Sequence, residues 1–166
     1  SDVLHGWQWG VDATMGVAVT YNNAYARAQA NEDLCDFSFA SVDAQGRPAA
    51  PAQPIMPTMF GRGNGIPPTG GVVIVYNAIP TANGGPVNYK LHPDFAFQGA
   101  QCMRALWRTR TPNPAAGSNA ARLQQGVSEV LASGNLQGKP AIIVHGRADA
   151  LVPPNHSSRT YFGANK

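Results

Sequence analysis

Acid, base and nucleophile chemistry is concentrated near the end of the chain. His145-Gly146-Arg147-Ala148-Asp149-Ala150-Leu151-Val152-Pro153 follows the apolar run Pro140-Ala141-Ile142-Ile143-Val144. That run reads as a buried parallel strand with proline at its first position. In open α/β sheets, function sits outside the carboxyl ends of the strands. Asp149 comes just after this run, where a reactive group would be held. Gly146 allows the backbone to turn sharply, and Val152-Pro153 pins the far side of the loop. The alternative is an aspartate that only caps the turn after it, which needs no catalysis.

The other reactive side chains are scattered. His5, His92, His145 and His156 lack the spacing of a metal site, and two distant cysteines do not make a zinc site. No metal or cofactor is expected. Cys35 and Cys102 either pair in an oxidising compartment or sit as two buried thiols. Arg104 and Arg108 lie four apart on one helix face; they either bind a carboxylate or form a solvated face. Gly61-Arg62-Gly63-Asn64-Gly65 lacks the Gly-Lys-Ser/Thr ending of a phosphate loop, and no strand precedes it.

The elements that must position these groups follow from composition and period. With 166 residues the chain can build one ordinary core, but at about 30 residues per βαβ unit it is short for a complete α/β enzyme. Only 13% of residues are charged, and Gly 18 and Pro 14 imply long, ordered loops. The net charge of +3 is spread thinly, with no basic stripe for nucleic acid. No stretch approaches the length of a membrane span. Gly16–Tyr21 is expected as a short strand and 24–30 as a helix. Trp7 and Trp9 either line a pocket or, as expected, pack in the core or a lid.

Residues 44–70, with prolines at 48, 51, 54 and 57, read as a surface loop or part of a lid. Val72–Tyr76 is a continuous apolar strand, 77–90 is loop-like with a turn at Asn83-Gly84-Gly85, and 95–108 is helical. Ser118 is the N-cap of a helix whose buried face is Leu123, Val127, Val130 and Leu131, with Gly134 at its C′ position. Gly126 inside this helix costs ~1 kcal/mol relative to alanine.

The segment His145-Gly-x-x-Asp149-x-x-Val152-Pro153 resembles the acid loop of α/β-hydrolases. The longer stretch from Ser133 to Tyr161 resembles the D-(−)-3-hydroxybutyrate oligomer hydrolases, and Tyr21–Arg27 and Leu34–Ala40 agree with the same family. The family comprises secreted or periplasmic bacterial serine hydrolases that cut 3-hydroxybutyrate oligomers into monomers. The resemblance implies an α/β chain, one edge of a mostly parallel α/β-hydrolase sheet. It divides into a lid-like insertion over 1–117 and part of the catalytic core over 118–166. Its partners would be a small ester substrate and the remainder of the same polypeptide, with no nucleic acid and no membrane.

Under this resemblance Asp149 is the triad acid, which accepts a hydrogen bond from the catalytic imidazole and stabilises the imidazolium. The nucleophile is not in the chain. None of the eight serines, at 1, 38, 41, 118, 128, 133, 157 and 158, sits in a Gly-x-Ser-x-Gly elbow. In this fold the order is serine, acid, histidine, so the serine is expected before Ser1. His156 is the candidate general base within the chain; it follows Asp149 by only seven residues, so a place at a helix start is the competing role. The catalytic histidine is then expected beyond Lys166. His145 is expected as a packed or hydrogen-bonded structural residue. A tannase- or feruloyl-esterase-like hydrolase, or a non-catalytic binding domain, are the rival readings.

Overall fold

A computed structural model describes residues 15–29, 31–45, 47–50, 72–80, 86–88, 96–107, 112–149 and 152–165. In chain order these form α1 (Ala18–Tyr25), β1 (Phe37–Val42), β2 (Pro48–Ala49), β3 (Val72–Pro80), β4 (Pro86–Asn88), α2 (Phe97–Leu106), α3 (Asn119–Val130) and α4 (Ser158–Ala164). Short 3-10 turns, Leu34–Asp36 and Pro154–His156, precede β1 and α4.

The strands make one sheet in the order β2-β1-β3-β4, with every pairing antiparallel. This corrects the expected parallel sheet edge of an α/β-hydrolase. The apolar run Val72–Tyr76 is indeed a strand and is buried at all five positions. It lies between β1 and β4, and an interior strand needs apolar side chains on both faces whichever way its neighbours run. Continuous hydrophobicity therefore marked burial and not direction. β3 also runs on to Pro80 and pairs with β4, where a loop was expected; the register shifts between Tyr76 and Pro80, as suits a strand ending in proline.

The helices cover this sheet and each other. Met15, Val19, Leu34, Phe37, Ile74, Tyr76, Met103 and Leu123 form one buried cluster, drawn from α1 and the turn before it, the 3-10 turn Leu34–Asp36, β1, β3, α2 and α3. α2 meets the sheet through Gly99, where an added β-carbon would lie 2.5 Å from the Phe37 ring and 2.8 Å from the Tyr76 ring. Those rings stack at a tilt, with centroids 5.0 Å apart. Burial pushes the Tyr76 phenol above its usual range, and the nearby Asp36 carboxylate adds to that.

Two further expectations are corrected. The run Gly16–Tyr21 is helical and not a strand, Gly16-Val17 in the turn that leads into α1 and Ala18–Tyr21 in α1 itself, and the helix stops at Tyr25, well short of 30. Val19 is buried in the core, and Asn22 and Asn23 donate to the carbonyls of Ala18 and Val19 at 2.7 and 2.8 Å. Tertiary burial and these bonds override the modest strand preference of Val17, Val19 and Thr20. Residues 140–145 form no regular element. Ile142 and Val144 are 94% and 91% exposed, and no described strand pairs with them.

Elsewhere the sequence reading holds for element positions and fails in part for the buried face and end of α3. The helix over 95–108 is α2, and Ser118 caps α3 by accepting from the Ala121 N–H at 3.2 Å. Leu123 is buried and Val127 partly so, whereas Val130 and Leu131 are exposed. α3 ends at Val130, before Gly134, which instead takes a left-handed turn (φ +70°) against Tyr161. Cys35 and Cys102 form a disulfide, with Cα atoms 5.6 Å apart. It fastens the turn before β1 to α2, in a stretch where Asp33, Cys35 and Asp36 all take left-handed backbone angles. Trp7, Trp9, Arg108, the turn at 83–85 and the proline series beyond Pro48 lie outside the described residues.

Candidate acid loop

The described segment 131–165 contains no buried residue, so its order comes from hydrogen bonds of its own. Asn165, after α4, donates from Nδ2 to the carbonyls of Gly134 and Tyr161 at 2.7 and 3.0 Å. Its Oδ1 accepts from the Leu136 N–H at 2.8 Å. α4 is thereby tied back to the turn at Gly134. At the other end of α4, Pro153 opens a 3-10 turn, and its carbonyl accepts from the His156 N–H at 3.0 Å and the Ser157 hydroxyl at 2.8 Å.

Between these anchors runs the loop that carries Asp149. The Asp149 N–H donates to the Gly146 carbonyl at 3.2 Å, closing a tight turn. The Asp149 Oδ1 accepts from the Val152 N–H at 2.9 Å. Aspartate closes turns this way because its short carboxylate reaches a backbone N–H a few residues on. The Val152 carbonyl faces His145 Nε2 at 2.8 Å. A carbonyl can only accept, so Nε2 carries the proton of this bond. The second carboxylate oxygen, Oδ2, lies 3.5 Å from the same Nε2. Val152 thus holds both partners by its backbone, and His145 and Asp149 face each other across the loop.

Each expected site residue can now be placed. Asp149 caps its turn through one oxygen and presents the other to an imidazole; its side chain is 38% exposed. That imidazole belongs to His145, expected as a hydrogen-bonded residue from its place after the apolar run. Its contact with Asp149 was not foreseen, although an i,i+4 His–Asp pair around a glycine was a signal for it. His156 lies at the end of the 3-10 turn beside the start of α4, the competing position weighed for it. Ser128 lies within α3 and bonds the Gln125 carbonyl at 2.7 Å. Among the described residues no group of three or more His, Cys, Asp or Glu is placed to hold a metal ion, and no helix is long and apolar enough to cross a membrane.

No solved structure matches the chain. The family pattern for 3HB-oligomer hydrolase (3HBOH) matches residues 1–166. Curated proteins named D-(−)-3-hydroxybutyrate oligomer hydrolase are close in sequence. That of Burkholderia ambifaria is 46% identical over 167 residues, covering 99% of this chain and 22% of the relative. That of Burkholderia vietnamiensis is also 46% identical, with the same coverage, and that of Burkholderia pseudomallei is 45% identical over 166 residues, again 99% and 22%. The chain therefore spans about a fifth of the length of the relatives it matches. With one family pattern running along every residue and near-half identity to its named members, the chain belongs to the 3HB-oligomer hydrolase family.

Proposed function

We propose that this chain is part of an ester hydrolase that cleaves 3-hydroxybutyrate oligomers to monomers, and that Asp149 is the acid of a serine-type triad. The observation that carries the activity is the family match along the full 166 residues, together with the names of the relatives. The role of Asp149 is supported by its loop. One carboxylate oxygen is fixed by the Val152 N–H, and the other, 3.5 Å from the structural His145 Nε2, is the one that would meet a catalytic imidazole. A triad acid needs that division of labour: a backbone anchor on one oxygen, and a partner imidazole to orient and to stabilise once protonated.

The serine and the general base come from the remainder of the polypeptide. His145 is committed to the Val152 carbonyl and holds the loop; His156 belongs to the turn that starts α4. Secretion to an oxidising compartment fits the Cys35–Cys102 bond, since disulfides persist there and are rare in reducing cytosol. The test is hydrolysis of 3-hydroxybutyrate trimer and of a feruloyl ester by the full-length polypeptide. Release of hydroxybutyrate monomer with the feruloyl ester untouched is expected. Hydrolysis of the feruloyl ester alone would refute the substrate.

A further inference from the structure

Within residues 137–149, His145 is the one residue that is not exposed. Its side chain is 18% exposed, against 38% for Asp149. Ile142 and Val144, just before it, stand in solvent, so no apolar core draws the ring inward. Its hydrogen bond does: Nε2 donates to the Val152 carbonyl at 2.8 Å. The Val152 N–H in turn donates to Asp149 Oδ1 at 2.9 Å. Val152 is therefore held at both of its polar backbone atoms, once by each side chain. It also precedes Pro153, which confines its backbone to extended angles, and its branched side chain stiffens it further. A constraint on its carbonyl thus passes to its N–H. Pro153 itself is anchored, because its carbonyl accepts from the His156 N–H and the Ser157 hydroxyl.

We infer that His145 is a positioning residue for hydrolysis: its Nε2–H braces the Val152 carbonyl, and through Val152 it sets the direction in which Asp149 presents Oδ2. This rests on the proposed role of Asp149 as triad acid. A misplacement of about 1 Å at a reacting group can cost about 10²-fold in rate. The described segment 131–165 has no buried residue to supply that precision, so bonds from side chains to backbone must. Without the imidazole, Val152 keeps only its bond to the carboxylate, and the two can swing together about Gly146. The ring also shapes the approach to Oδ2. At 3.5 Å, Nε2 is too far to bond that oxygen. Oδ2 stays open to a catalytic imidazole, which must come from the side that His145 does not fill.

The experiment uses the full-length polypeptide and 3-hydroxybutyrate trimer. His145→Ala is expected to lower kcat about 10²-fold, with KM and the melting temperature unchanged. His145→Gln, whose amide N–H reaches about as far as Nε2, is expected to restore most of that loss. In an Asp149→Asn background, His145→Ala is expected to cost nothing further, because both changes disable one unit. Hydrogen exchange of the peptide spanning 146–152 reads the brace apart from activity: faster in His145→Ala, and as in the parent in His145→Gln. Unchanged exchange in His145→Ala, no recovery in His145→Gln, or losses that add in the double variant would overturn the inference. Undiminished turnover in Asp149→Asn, with the exchange difference present, would instead refute the acid role of Asp149 and leave His145 as the brace of the loop.

Discussion

Gly126 shows how one residue can be misjudged from local preference. In a helix interior, glycine is worse than alanine by ~1 kcal/mol. In this protein α3 crosses the end of α1 at that position, and a β-carbon would run into the Tyr25 carbonyl group. Overpacking costs about 1–3 kcal/mol, so the clash wins over propensity. Gly126→Ala is expected to lower stability by that amount, measured by urea denaturation; a more stable variant would show that the helices do not meet there. Ser118, by contrast, was fully legible, because an N-cap depends only on the residues beside it. Asp149 lies between these cases. Its turn-closing bond to Val152 is local chemistry that the spacing announced, while the catalytic imidazole proposed for it depends on distant parts of the polypeptide. His156, in the turn that starts α4, is expected to be dispensable. The 166-residue chain alone should not turn over a p-nitrophenyl ester. Turnover by the chain alone, abolished in His156→Ala, would place the general base at that residue.

At the scale of elements, long and strongly patterned segments were readable: α2, α3 and β3 stand where their apolar residues put them. Segments decided by tertiary contact were not. Val17–Tyr21 has a mixed preference, and burial of Val19 in the core made it helical. Residues 140–145 carry the composition of a buried strand but have no described partner strand.

Two of the cross-links between elements each give an expected outcome. The Cys35–Cys102 bond closes a loop with a sequence separation of 67. In the chain-entropy model this is worth about 4 kcal/mol, so reduction or Cys102→Ser should cost that much in a denaturation experiment run with and without reductant. The second is the pair of hydrogen bonds from Arg122 to Glu32, at 2.7 and 3.2 Å, joining α3 to the loop after α1. Those bonds hold the Glu32 carboxyl below the usual glutamate range. Its stabilising contribution is therefore complete above about pH 4.3, the unfolded value. It is lost as the pH falls through the lower folded value. Glu32→Gln should flatten the acid limb of the stability–pH curve; an unchanged slope would mean the pair is solvated away.

On the scale of the whole molecule, the chain is an antiparallel sheet packed under three helices, followed by an exposed, hydrogen-bonded segment that carries the acid loop. Buried residues stop at Gly126 among the described ones, so the acid loop is supported by backbone bonds and not by a core beneath it. Sequence pattern could not report sheet direction, which depends on how the chain connects its strands. It did report the family, because that rests on residue identity along the chain and not on geometry. The decisive measurement is the turnover number of the full-length polypeptide on 3-hydroxybutyrate trimer, with and without Asp149→Asn. Asparagine keeps an oxygen for the Val152 N–H, so the loop survives while the charge is lost. If Asp149 orients and stabilises the catalytic imidazole, turnover falls by about 10⁴, the cost of that exchange in serine proteases, with the melting temperature unmoved. Undiminished turnover in Asp149→Asn would contradict it.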